Sequence, residues 1–119
     1  FGKENKISQL DSNFLKKCNT IIEKHLTDNE YGVEQMSVEM SLSRVHVYRK
    51  IKHLTGLTVS EFIRNIKLKK AAVMLQESGK NIAEVAYETG FSSPSYFSKC
   101  FKDLYNISPT EFVQNNTSE

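Results

Sequence analysis

A chain of 119 residues with 39% hydrophobic and 25% charged content, 5 glycines and 2 prolines fits one small soluble domain or two lobes of minimal size. No apolar run approaches the roughly 18 residues that span a bilayer, no basic leader precedes an apolar segment and no low-complexity tract occurs, so a soluble, intracellular chain is expected. The net charge of +2 is unevenly spread: residues 44–80 hold nine basic residues against two acids, a local +7, while the rest sums to −5. Such an asymmetry is the footprint of a polyanion-binding face, whereas a solvated surface interleaves the signs.

Apolar residues recur at three- and four-residue spacing almost throughout, which predicts an all-α chain. Residues 1–11 read as a linker remnant, and a start at Phe1 with a polar stretch through Asp11 suggests a fragment of a larger protein. A first helix is predicted from about Ser12 to Leu26, with Phe14, Leu15, Cys18, Ile21, Ile22 and Leu26 on one face. After a polar connection over Thr27–Gly32 come a short helix from about Val33 to Met40, a Ser41-Leu42-Ser43 break, and a helix from Arg44 to about Leu54 ending at Gly56. That order is a helix-turn-helix pattern. A long helix follows from about Val59 to Glu77, close to 30 Å at about 1.5 Å per residue, and it reads as a rigid spacer.

The same grammar then returns. Val33, Met36, Ser37, Met40 and Leu42 correspond, 49 residues on, to Ile82, Val85, Ala86, Thr89 and Phe91. After one inserted residue the offset is 50, pairing Ser43, Val47, Ile51, Lys52 and Leu54 with Ser93, Phe97, Phe101, Lys102 and Leu104. The segment from Leu57 to Ile63 matches that from Ile107 to Val113 in the same way. Side-chain class is kept while identity is low, and the repeated turn and order are not what two unrelated amphipathic helices would share. The expected organisation is therefore a first helix-turn-helix subdomain over 12–56, a linker helix over 57–78, a second subdomain over 79–114 and a tail over 115–119.

Helix starts carry their own chemistry. Thr58 with Glu61, Asn81 with Glu84 and Ser108 with Glu111 have the spacing of a capping box, which satisfies two of the N–H groups that a helix leaves unpaired. Pro94 and Pro109 stand at first helical positions, where the missing N–H costs nothing. Gly90 falls where the second turn needs a positive φ; Ser41, its counterpart, either adopts that conformation or marks a different first turn.

Other chemistries lack their constellations. Cys18 and Cys100 lie 82 positions apart without metal-ligand spacing and read as buried small hydrophobes. His25, His46 and His53 have no metal spacing. No nucleophile-elbow, zinc-protease or phosphate-loop motif occurs, so no catalytic residue, metal or cofactor is expected. The aromatic residues sit mostly at core periods, against a single-strand stacking platform.

The second unit, I-A-E-V-A-Y-E-T-G-F-S-S-P-S-Y-F-S-K-C-F-K from Ile82 to Lys102 followed by I-S-P-T-E-F from Ile107 to Phe112, resembles the signature of AraC/XylS-type transcription regulators. The stretch S-R-V-H-V-Y-R-K-I-K-H-L-T-G from Ser43, with F-I-R-N-I-K-L-K-K-A-A from Phe62, is similar to the first helix-turn-helix and linker helix of that family. The likeness covers about residues 12–114, and it is strongest to C-terminal output domains of hybrid two-component regulators. The family often carries arginine after its closing aromatic; here Val113 follows Phe112, and a phosphate contact at that position is not expected.

The resemblance implies a cytoplasmic, nucleoid-associated domain that binds double-stranded promoter DNA in two successive major grooves and positions a surface for RNA polymerase. Any sensor part of a longer protein would lie elsewhere, with homodimerisation confined to missing regions. With Val47, Ile51 and Leu54 inward, Arg44, Val45, Tyr48, Arg49 and Lys52 face out. Arg49 matches a base-reading position of the family, where a guanidinium bonds guanine bidentately for about 1–3 kcal/mol of discrimination. On the same likeness Val45 is expected to meet a thymine methyl, Tyr48 a base edge or sugar, and Arg44 and Lys52 phosphates. In the second unit Phe97, Phe101 and Leu104 are core, and Ser95, Tyr96, Ser98, Lys99 and Lys102 face out. Ser95, Tyr96 and Lys99 are the expected base contacts, and Lys102, Ser92, Ser93 and the helix start at Asn81 the phosphate contacts. Lys99 aligns with Arg49 but is a point charge, so the second helix is expected to read less sharply. The competing reading is a helical protein-interaction module that keeps the fold without DNA readout.

Overall fold

The computed structural model describes residues 8–77 and 79–117. Among these, seven helices and no strand form: α1 Gln9–Lys24, α2 Val33–Met40, α3 Arg44–Thr55, α4 Val59–Gln76, α5 Ile82–Glu88, α6 Pro94–Tyr105 and α7 Pro109–Thr117. The first helix begins three residues before the predicted Ser12 because Ser8 caps it, its hydroxyl accepting from the Asp11 N–H. It also closes earlier, at Lys24, where the His25 N–H turns back to the Ile22 carbonyl.

The capping chemistry is realised at each predicted start. Thr58 and Asn81 accept from the N–H three residues on, and Glu61 and Glu84 accept in return from their N–H groups. Ser108 and Glu111 make the same reciprocal pair. Ser43 and Ser93 start the two 12-residue helices α3 and α6 alike, each accepting from the third following N–H. Both helices end in a left-handed residue, Gly56 at φ 77° and Asn106 at φ 68°, which extends the internal repeat by one more position. Ser41 does adopt the left-handed conformation, at φ 59°, matching Gly90 at φ 82°.

Two hydrophobic cores result. Cys18, Ile21, Ile22, Met36, Val47 and Ile51 build the first, while Val85, Ala86, Phe91, Phe97, Cys100 and Phe101 build the second. The long helix belongs to both: Val59, Phe62, Ile63 and Ile66 enter the first core, and Leu68, Ala71 and Leu75 the second. At about 100° per residue these two stripes lie on roughly opposite faces of α4. The expected spacer is therefore a shared core helix, clamped on both sides. That placement sets α3 and α6 on either side of a common rod in a flat molecule of 42 × 37 × 20 Å.

Candidate nucleic-acid interface

On α3, Val47 and Ile51 are fully buried and Leu54 partly so, which turns the opposite face to solvent. Arg44, Val45, Tyr48, Arg49 and Lys52 are all exposed there, Val45 to 54% and Tyr48 to 49%. Apolar and aromatic groups so exposed between cations are a feature that core packing does not explain. Among the described residues Arg49 has no ion-pair or hydrogen-bond partner. It borders two shallow grooves, one shared with Val45, His46 and His53, the other with Tyr48, Lys52 and His53. His53, which the sequence marks only as lacking metal spacing, stands four residues after Arg49 and is exposed on the same face. Arg44 pairs with Glu34 at 3.3 Å, and both groups are mostly exposed, so water and salt compete with the pair. Lys52 Nζ donates to the Gly56 carbonyl at 3.0 Å, closing the helix C-terminus.

Not all of the basic stretch faces solvent. Lys67 is buried at 5% exposure, its ammonium donating to the Asp28 carbonyl at 3.1 Å, and burial holds its pKa below the usual lysine value. Lys50 bonds Asp11 at 3.0 Å and lies 5.3 Å from the Phe14 ring centroid, tying α3 to α1. The polyanion footprint inferred from charge counting is therefore narrower than the sequence suggests, because two of its cations serve packing.

On α6, Phe97 and Phe101 are fully buried and Leu104 partly, leaving Ser95, Tyr96, Lys99 and Lys102 exposed and Ser98 half-buried. Lys99 pairs with Asp103 one turn on, at 3.2 Å. Tyr96 is 45% exposed while its ring stands 6.0 Å from Phe91, so it flanks the core and faces out at once. Ser92 is exposed; the Ser93 hydroxyl accepts from the Tyr96 N–H. The Asn81 backbone N–H and side-chain oxygen are both engaged with Glu84. Arg64, counted in the sequence only as part of the basic stretch, lines two clefts together with Tyr96, one where the α1–α2 connection, α4 and the α5–α6 turn meet and one between α4 and α6.

Cys18 and Cys100 are buried free thiols, and burial pushes Cys18 up to about 11, so it stays protonated. Among the described residues no group of three histidine, cysteine or acidic side chains could hold a metal, and no helix is long and apolar enough to cross a membrane.

A family profile described as "Helix-turn-helix domain" matches residues 36–115. The chain is 41% identical over 113 residues to "Histidine kinase P4" of Formosa agariphila, a match that covers 95% of this chain and 8% of that protein. It is 30% identical over 99 residues to "HTH-type transcriptional regulator MtrA" of Neisseria gonorrhoeae, covering 82% of this chain and 33% of the relative. It thus spans less than half the length of these relatives. Among solved structures, the DNA-binding domain of the global transcriptional factor AdpA, in complex with a target DNA, superposes with a TM-score of 0.76 at 23% identity, over 87% of this chain and 93% of that one.

Proposed function

The chain belongs to the AraC/XylS-type helix-turn-helix family, and from that premise we propose that it binds double-stranded DNA in a sequence-specific way through α3 and α6, as the output domain of a two-component transcription regulator. The observation that carries this reading is the duplicated helix with an unburied polar face: in both units a capped 12-residue helix buries one stripe and turns cations, a tyrosine and small groups outward. A helix of this kind fits the major groove, and two of them about 34 Å apart meet successive grooves. Likeness to a domain held on target DNA, and to a transcription regulator, points the same way.

In this reading Arg49 reads guanine, Val45 a thymine methyl and Tyr48 a base edge or sugar. Ser95, Tyr96 and Lys99 make the second, weaker base contacts, with DNA shape contributing more there. Arg44, Lys52, Lys102, Ser92, Ser93 and the Asn81 helix start hold phosphates. The units divide at 12–56 and 79–114, joined through 57–78. Similarity to a histidine kinase over one end-to-end stretch of this chain favours a hybrid sensor architecture, acting at promoters in the cytoplasm where RNA polymerase is the partner.

Titrating duplex promoter DNA at several salt concentrations tests the proposal. If the three cations Arg44, Lys52 and Lys102 engage phosphates, affinity falls with a log–log slope of about −2.7. A flat salt response, or equal binding to every duplex, contradicts specific recognition and favours a protein-interaction module.

A further inference from the structure

Lys67 sits on α4 where the first core hands over to the second, between Ile66 and Leu68. Its buried ammonium makes no direct ion pair among the described residues, and the Asp28 carboxylate acts on it only through space. It donates instead to the carbonyl of Asp28, in the connection between α1 and α2. The turn between α5 and α6 closes on the same point from the other unit. A Cβ added at Gly90 would collide with the carbonyl oxygen of Leu26 and stand 2.7 Å from Lys67 Nζ. Three segments, one from each unit and one from the shared helix, thus converge within a few ångströms.

Shape alone does not call for lysine here. Burying an ammonium forfeits its hydration, and an apolar side chain of equal length would fill the space without that cost. What the ammonium adds is direction: a hydrogen bond to one carbonyl fixes where the first unit's connection lies against α4. Ser41 supplies an internal comparison for Gly90. It holds the same turn position at φ 59° with a side chain and is exposed, so the turn conformation tolerates serine. The close approach is what demands glycine at 90.

We infer that Lys67 and Gly90 form a lateral clasp that fixes the relative orientation of the two helix-turn-helix units, and thereby the base-pair spacing between the two half-elements the domain accepts. The spacing consequence rests on the DNA-binding reading above; the clasp does not. Lys67 is a positioning residue, acting through the angle between α3 and α6. Each added base pair turns the second half-element by about 35° around the duplex, so a rigid pair of helices tolerates little change.

The test places spin labels at Glu23→Cys on α1 and Thr110→Cys on α7, both exposed, and measures their distance distribution without DNA. The otherwise unaltered chain should give one narrow distribution, Lys67→Met a broadened or shifted one, and Lys67→Gln, which keeps an N–H donor, a narrower one than Lys67→Met. With DNA, changing the spacer by one base pair should cost the unaltered domain about tenfold or more in affinity and Lys67→Met clearly less. A folded Lys67→Met chain with unchanged distances overturns the clasp, as does a broad distribution in the unaltered chain. If Lys67→Met does not fold, Gly90→Ala is read by the same distances. Failure of the unaltered domain to bind any duplex would refute the DNA reading, while the label distances would still decide the clasp.

Discussion

The second helices of the two units, α3 and α6, share their length, serine cap and left-handed closure, and among the matched positions at which the units differ three stand out: Ser41 against Gly90, Lys50 against Cys100 and Arg49 against Lys99. The first two differences follow from what lies next to the unit. The first has α1 beside it, so Lys50 reaches out to Asp11. The second has no counterpart of α1, and Cys100 turns into a core built instead on rings, with Phe91 and Phe97 5.2 Å apart and Phe101 and Phe112 5.3 Å apart, both edge to face. Gly90 lies under the first unit's connection, whereas Ser41 is exposed. A duplicated motif keeps its local chemistry and varies where its neighbours differ.

The largest effects should come from the cores. Phe101→Ala should cost about 3–5 kcal/mol and Ile51→Ala about 2–5, measured by denaturant unfolding. Because α4 lies in both cores, each variant should unfold in one transition seen by probes in either unit. Separate transitions for the two units would break the claim of a shared helix.

Next comes the pair of turns. Gly90→Ser should destabilise by about 2–4 kcal/mol, since strain at positive φ adds to a collision with Leu26. Ser41→Gly should change stability by no more than about 1 kcal/mol and in the favourable direction. Thermal unfolding of the two variants separates these outcomes, and equal costs would mean the turns are equivalent.

The recognition faces come third. Arg49→Ala should lose about 1–3 kcal/mol of discrimination at one base pair. Lys99→Ala should lose less, because its ammonium already holds Asp103 and cannot form a planar fork. Lys52→Ala should weaken all sequences alike, and reversal of the Arg49 and Lys52 patterns in binding assays would overturn the assigned roles.

Acid should have the smallest effect, and it should separate the units. The Asp11 carboxyl is held low by the Lys50 hydrogen bond, and Glu39 by hydrogen bonds from Tyr31 and His25. Folded-state values below the ordinary ones contribute stability present above the usual carboxylate range and lost as pH falls through the lowered values. In the second unit Glu111 is lowered mainly by its cap on Ser108, with Lys102 adding to it, and no bond to another helix is involved. Amide exchange under acid should therefore rise first around Lys50 and Tyr31; earlier loss in α6 would contradict this.

Features set by neighbours in the chain were legible before any coordinates. Caps, turn positions and the outward face of α3 depend on residues three or four apart, and they lie where the spacing predicts. Contacts across the chain were not. Lys67 reads as one more surface cation because its partner is a backbone carbonyl 39 residues away, which leaves no mark in composition. One signal was available: the apolar stripe of α4 changes face between Ile66 and Leu68, which identifies a helix buried on two sides. A cation at that crossing has nowhere exposed to go. Lys50 and Asp11, also 39 apart, leave no mark in the spacing for the same reason.

The central claim is that a pair of unequal readers on one rigid frame recognises DNA. Selection of bound sequences from a pool of random duplexes tests it most directly. A non-palindromic motif is predicted, with one sharp half containing guanine and one diffuse half about a helical turn away. A palindrome, two equally sharp halves, or no enrichment would contradict it.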